Sequence, residues 1–134
     1  MKILGIEHIG IAVESLDKSA PFWREVLKIS HRTTETVESE GVVTDIFDTG
    51  SGKVELLSAL SEDSPVGKFL AKRGPGIHHI CLQVDDIRSA IVELKAAGVE
   101  LVKDEPSVGA EGYLVVFVHP RSAGGVLVEL AERR

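Results

Sequence analysis

The sequence predicts an α+β fold of two tandem βαβββ modules, and three observations carry that expectation. The stretch Gly76-Ile77-His78-His79-Ile80-Cys81-Leu82-Gln83-Val84 reads as a buried strand, and it echoes Gly5-Ile6-Glu7-His8-Ile9-Gly10-Ile11-Ala12-Val13 near the start. Superposed, His8 falls on His79, Ile9 on Ile80, Ile11 on Leu82 and Val13 on Val84, an offset of 71 residues. A second echo lies at an offset of 74, where Gly52-Lys53-Val54-Glu55-Leu56-Leu57 matches Gly125-Val126-Leu127-Val128-Glu129-Leu130 and sets Glu55 against Glu129. Each half therefore runs through a His-bearing strand, a helix, further strands and a Glu-bearing strand, the pattern of an internal duplication.

The elements follow in order. Residues 3–13 form the first strand. Ser15-Leu16-Asp17 supplies N-cap chemistry and Pro21 belongs in a first turn, so a helix is expected over Asp17–Leu27, its apolar stripe Ala20, Trp23, Val26 and Leu27. Strands are expected over residues 30–38, 42–49 and 53–60, with turns at Glu38-Ser39-Glu40-Gly41 and Gly50-Ser51-Gly52. A short helix over Val66–Lys72, opened by Pro65 and closed by Gly74-Pro75-Gly76, reads as a linker. The second half repeats the plan. Asp85-Asp86 caps a helix over Ile87–Ala97 with Ile87, Ala90, Ile91 and Leu94 on one face, and Gly98 stands at its end. Strands are expected near Glu100–Lys103, Tyr113–His119 and Gly125–Ala131. Module 1 thus covers about 1–62, the linker helix about 63–75 and module 2 about 76–134, within a single domain.

Composition narrows the function. An apolar fraction of 43% and a charged fraction of 27% are those of an ordinary globular domain. A formal charge of −6 with no Lys/Arg run argues against nucleic acid, because nothing is placed to release counterions from phosphates. No apolar run approaches the roughly 20 residues that span a bilayer. Met1-Lys2-Ile3-Leu4-Gly5 leads into strand pattern rather than a signal peptide. The single cysteine, Cys81, has no partner for an internal disulfide, so the expectation is a cytoplasmic protein without a membrane partner.

The period of two along a strand puts His8, Gly10 and Ala12 on one face, and His79, Cys81 and Gln83 on one face of the equivalent strand. His78 must then point the other way. Glu55 and Glu129 each sit inside an apolar run, where a carboxylate is costly to bury unless it is paired, hydrogen-bonded or bound to a metal. Two imidazoles and two carboxylates suit a divalent ion with vacancies for a chelating substrate. A lone strand histidine is more often a satisfied core or surface residue. Four such residues placed symmetrically in two copies outweigh that reading. Cys81 is expected to be a small buried thiol, and His31, after the first helix, to be exposed. The loop His119-Pro120-Arg121-Ser122-Ala123-Gly124-Gly125 has glycines that admit a ligand closely. Arg121, with Ser122 beside it, is the candidate for holding a phosphate or carboxylate, a solvated turn being the other reading.

Beyond the two echoes, the chain carries Glu62-Asp-Ser-Pro, Lys68-Phe-Leu-Ala-Lys-Arg-Gly, Asp104-Glu-Pro-Ser-Val-Gly and His119-Pro-Arg-Ser-Ala-Gly-Gly-Val-Leu-Val-Glu. With its paired modules and His…Glu…His…Glu order, it resembles the vicinal oxygen chelate superfamily, whose modules form an open, cupped barrel around a divalent metal. Within that superfamily it is most similar, along nearly its full length, to the methylmalonyl-CoA epimerases. The resemblance implies that His8, Glu55, His79 and Glu129 are metal ligands, with Glu129 also a catalytic acid/base. Some of these epimerases carry a second catalytic Glu after a Gly-Val-Val turn. Here Gly41-Val42-Val43 is followed by Thr44 and Asp45. Glu55 is then the second catalytic candidate, with Asp45 behind it.

The implied activity interconverts (R)- and (S)-methylmalonyl-CoA by α-proton transfer through a metal-stabilised enolate, with an acyl-CoA substrate and a homodimeric assembly. Mixed N/O ligands do not distinguish Co, Mn, Ni, Mg or Zn. Two alternatives share the fold: a glyoxalase I-like lactoylglutathione lyase and a non-catalytic small-ligand-binding module. A binder has no reason to keep four metal-type residues in apolar strands.

Overall fold

The structure, a computed structural model, describes residues 1–134. Strand β1 (Ile3–Ala12) leads to helix α1 (Leu16–Pro21) and to strands β2 (Ser30–Val37), β3 (Val42–Asp48) and β4 (Lys53–Ala59). Helix α2 (Pro65–Arg73) follows, and the plan begins again with β5 (Gly76–Val84) and α3 (Ile87–Ala96). Strands β6 (Ser107–Val108), β7 (Leu114–Val118) and β8 (Val128–Glu132) complete it. The βαβββ order expected from the echoes is therefore present twice. No helix is long and apolar enough to cross a membrane. The chain divides into two compact units: His8–His78, and Met1–Glu7 together with His79–Arg134.

In the unit His8–His78 the strand order is β2-β3-β4-β1, with β1 parallel to β4 and β3 antiparallel to both its neighbours. One face of this sheet is covered by α1, where Val13, Ala20, Phe47 and Leu56 are buried against Ile11, Leu16, Trp23, Ile29 and Val54. The helix itself differs from expectation. It begins at Leu16 behind the Ser15 cap, and after Pro21 it widens into one π turn, Phe22–Val26, closed by Leu27 N donating to Phe22 O at 2.9 Å. Pro21 lacks an N–H and its ring crowds the carbonyl of Asp17, one turn earlier; the wider turn absorbs both. The stripe is cut short as a result: Ala20 is buried, but Val26 and Leu27 stand exposed.

In the other unit the order is β5-β8-β7-β6, with β5 parallel to β8. Helix α3 lays Ile87, Ala90 and Ile91 on Val84, Val116 and Leu130, with Leu94 packed alongside, the face the sequence indicates. Two carboxylates serve its N-terminus. Asp86 accepts from Arg88 N and Ser89 N at 3.1 Å, and Glu132 accepts from Ile87 N at 2.8 Å. The chain start joins this unit through Lys2 N, which donates to Asp85 Oδ1 at 2.7 Å. That hydrogen bond holds the Asp85 carboxyl below its ordinary range. The strand expected at Glu100–Lys103 is reduced to a single bridge, Leu101 with Val118, and the edge pairing resumes at Ser107–Val108. Between them Pro106 has no N–H for a ladder, so one strand's worth of pairing is broken into two short pieces.

Helix α2 packs tightly on the chain before it. A Cβ at Gly67 would press on the carbonyl oxygens of Ser61 and Glu62, both backbone atoms. Alanine for glycine in a helix normally gains about 1 kcal/mol. Crowding a close-packed site costs about 1–3 kcal/mol. The expected outcome for Gly67→Ala is a net loss of stability in urea unfolding; a gain would mean that this backbone yields.

Candidate active site

Register places the candidate residues. In the first unit Gly10 pairs with Glu55 across β1 and β4, and His8 lies two residues before Gly10. In the second unit Cys81 pairs with Glu129 across β5 and β8, and His79 lies two residues before Cys81. Paired residues share a face, and so do residues two apart. Each unit therefore sets one histidine and one glutamate on the same sheet face in the same relation. The duplication holds at the level of register.

Each pair is also in contact. His8 Nδ1 lies 3.0 Å from Glu55 Oε2, and His79 Nε2 lies 3.1 Å from Glu129 Oε1. All four residues are nearly solvent-free, none more than 6% exposed. A carboxylate so deep in apolar strands is tolerated because its oxygen meets an imidazole nitrogen. The donor set, imidazole nitrogen and carboxylate oxygen in each unit, fits a divalent ion of the borderline type. Neighbours brace the pairs. The Phe117 ring, on the residue paired with Glu129, meets His79 edge-on at 5.7 Å between centroids. In the first unit the Thr44 hydroxyl donates to Glu55 Oε1 at 3.4 Å.

His78 points away, as the period requires, and its ring meets Phe69 of α2 edge-on at 5.1 Å. Cys81 is buried beside Val115 and Ala131, a small apolar neighbour. Arg121 and Ser122 face the chain at Glu100. Arg121 Nη2 donates to Glu100 Oε2 at 2.8 Å, and Ser122 Oγ accepts from Glu100 N at 2.9 Å.

Two expectations need correction. His31 is not simply exposed: Nε2 lies 2.5 Å from Asp45 Oδ1, and the ring meets Phe47 edge-on. Asp45 itself does not share the face of Glu55. Glu55 pairs with Ile46, so Thr44 and Ile46 take its side while Asp45 and Phe47 take the side covered by α1. There Asp45 accepts from the Thr34 hydroxyl at 2.6 Å. Asp45 thus accepts hydrogen bonds on the α1 side and does not share the face of Glu55. Thr44 takes the side of Glu55 instead.

The geometry can be set beside known proteins. A family model described as the Glyoxalase/Bleomycin resistance protein/Dioxygenase superfamily matches residues 7–117. The mitochondrial methylmalonyl-CoA epimerase of Mus musculus is 38% identical over 132 residues, covering 98% of this chain and 74% of that protein. The ethylmalonyl-CoA/methylmalonyl-CoA epimerase of Cereibacter sphaeroides is 38% identical over 129 residues, covering 95% and 96%. A solved methylmalonyl-CoA epimerase in complex with methylmalonyl-CoA superposes with a TM-score of 0.92 at 36% identity, covering 98% of this chain and 95% of that one.

Because Asp45 faces α1, Asp45→Asn should leave metal uptake unchanged. It should lower the unfolding free energy by about 1 kcal/mol through the weakened contacts to His31 and Thr34. Metal titration with urea unfolding checks both, and lost uptake would put Asp45 back with Glu55.

Proposed function

The chain belongs to the Glyoxalase/Bleomycin resistance protein/Dioxygenase superfamily, and on that footing we propose that it is a metal-dependent epimerase of methylmalonyl-CoA. One observation carries the reading: two buried His–Glu pairs in matching register, in a chain that resembles methylmalonyl-CoA epimerases over nearly its whole length. His8, Glu55, His79 and Glu129 are the residues that would supply the ligands of a divalent ion. Bound there, the ion supplies Lewis-acid stabilisation of the charge that develops on the substrate oxygens.

The protein's own groups move the proton. Inversion at the carbon α to a thioester needs removal on one face and delivery on the other, hence two acid/base groups. Glu129 takes the proton on one face through its carboxylate. Glu55, its register equivalent, serves the opposite face. The apolar strands around both exclude water, which keeps each carboxylate's proton for the substrate. Arg121 and Ser122 receive the charged end of the acyl-CoA. The exposed ion pair of Arg121 with Glu100 is weak enough to exchange for a phosphate.

A homodimer is part of the reading, supported by the exposed apolar side chains of Ile3, Leu4 and Ile6, and a cytoplasmic location fits the lone reduced cysteine. The decisive experiment measures metal content and turnover on methylmalonyl-CoA and on the methylglyoxal–glutathione adduct. Turnover of the first alone is expected. Turnover of the second alone would replace this function with a glyoxalase I-like lyase, and turnover of neither by metal-loaded protein would leave a binding module.

Glu129→Gln keeps the volume and a weak ligand oxygen but cannot accept the proton. Epimerisation should fall by about 10²–10⁴, with metal content reduced less. Glu55→Gln should retain deuterium exchange at the α carbon of one epimer while losing inversion. Wild-type inversion in that variant would reduce Glu55 to a ligand.

A further inference from the structure

Strand β5 carries His79, Cys81 and Gln83 on one face. Cys81 pairs with Glu129, and Gln83 pairs with Ala131, one row further along that face. Ala131 pairs in turn with Val115, as Glu129 pairs with Phe117. Adjacent rows on a face are two residues apart, so the row of Gln83 lies roughly 6–7 Å from that of Glu129. Ala131 and Val115 are closed off, each 2% exposed, whereas Gln83 is half-buried and meets solvent. Its carboxamide hydrogen-bonds to nothing in the protein. No buried side-chain N or O atom lacks a partner, so the N–H groups and oxygen of Gln83 are open to an incoming molecule. A half-open polar residue on a strand is commonly just solvated. Two facts set this one apart. The preceding residues on the same face, His79 and Cys81, are buried, and the echo position in the first unit is Ala12, buried and apolar. The register that repeats the histidine and the glutamate does not repeat the carboxamide, so the fold has no need of it.

We propose that Gln83 binds the amide-bearing arm of the thioester substrate, its carboxamide pairing with the amide nearest the sulfur. The proposal rests on the reading that the protein acts on an acyl-CoA with Glu129 at the reacting carbon. A carboxamide both donates and accepts and carries no charge. It therefore complements an amide, whereas a carboxylate or phosphate calls for a cation such as Arg121. The spacing agrees. Between the α carbon of an acyl-CoA and its first amide nitrogen stand the thioester carbon, the sulfur and two methylenes. Those five bonds of about 1.5 Å, extended, reach roughly 6 Å, which matches the step from the row of Glu129 to that of Gln83. Holding the arm at Gln83 orients the thioester with its α carbon at Glu129.

The test uses Gln83→Met, which keeps the length of the side chain and removes its donors and acceptor. Because the carboxamide has no partner in the protein, urea unfolding of the variant should match wild type. Metal-loaded wild type and variant are compared on methylmalonyl-CoA and on the propyl thioester of methylmalonate, which keeps the reacting carbon and lacks the amide. Losing an amide pair costs about tenfold in binding. KM for methylmalonyl-CoA should therefore rise about tenfold in Gln83→Met with kcat falling much less, the pattern of lost uniform binding. The affinity for coenzyme A, which has the arm and no acyl group, should weaken by the same factor. On the propyl thioester kcat/KM should be alike in the two proteins. A wild-type KM on methylmalonyl-CoA in the variant would overturn the role of Gln83 and leave the epimerase standing. An equal loss on both thioesters would also overturn it, by placing Gln83 at the acyl end instead of the arm. If metal-loaded wild type turns over neither thioester, the epimerase reading fails and Gln83 falls with it.

Discussion

The interaction on which the rest depends is the burial of a carboxylate against an imidazole inside an apolar strand, made twice. Glu55 and Glu129 are less than 6% exposed, with leucines and valines before and after them. An isolated carboxylate in such a place would take a proton or refuse to fold inward. Contact with His8 and His79 makes burial tolerable, and it constrains the architecture. The imidazole must arrive from a neighbouring strand, on the same face, one register step away. A parallel pairing of the module's first and last strands meets those conditions in both units.

That constraint explains why the chain keeps its helices on the other side. α1 and α3 cover the faces that carry Phe47 and Leu56, or Val116 and Leu130, and leave the His–Glu faces to the site. The sheet is apolar on both sides for different reasons. One face is packed against a helix; the other is dry because buried ionisable groups need their partners undiluted by water. The π turn after Pro21 and the broken edge between Leu101 and Ser107 lie away from both pairs along the chain. Irregularity is tolerated where register with a glutamate is not at stake.

Much of this was legible in the residues, and what was not has a geometric cause. The echoes paired His8 with His79 and Glu55 with Glu129 because a duplicated module repeats its strands in register. The helix stripe of α3 and the outward turn of His78 followed from simple periods. Which face Asp45 takes depends on one fact the sequence does not supply, the register of the hairpin between β3 and β4. With Asp48 opposite Lys53, position 46 falls opposite Glu55 and position 45 on the far face. A slip of one residue would reverse that assignment. Sequence alone supplies the period of each strand but not the phase between two strands, and both Asp45 and Thr44 are questions of phase.

A duplicated module makes two equal half-sites, whereas inversion at carbon asks for two groups with different tasks. The differences between the copies are therefore where specialisation has to be sought. On the site face the first copy places Gly10 and Ala12 where the second has Cys81 and Gln83, and it places Ile46 where the second has Phe117. On that face the first copy also has Thr44 where the second has Val115. The second is fuller and braces its histidine with an aromatic edge. The copies can therefore differ in what surrounds each carboxylate while both keep the register that sets a glutamate beside a histidine, which is how a repeated fold can specialise without losing its pattern.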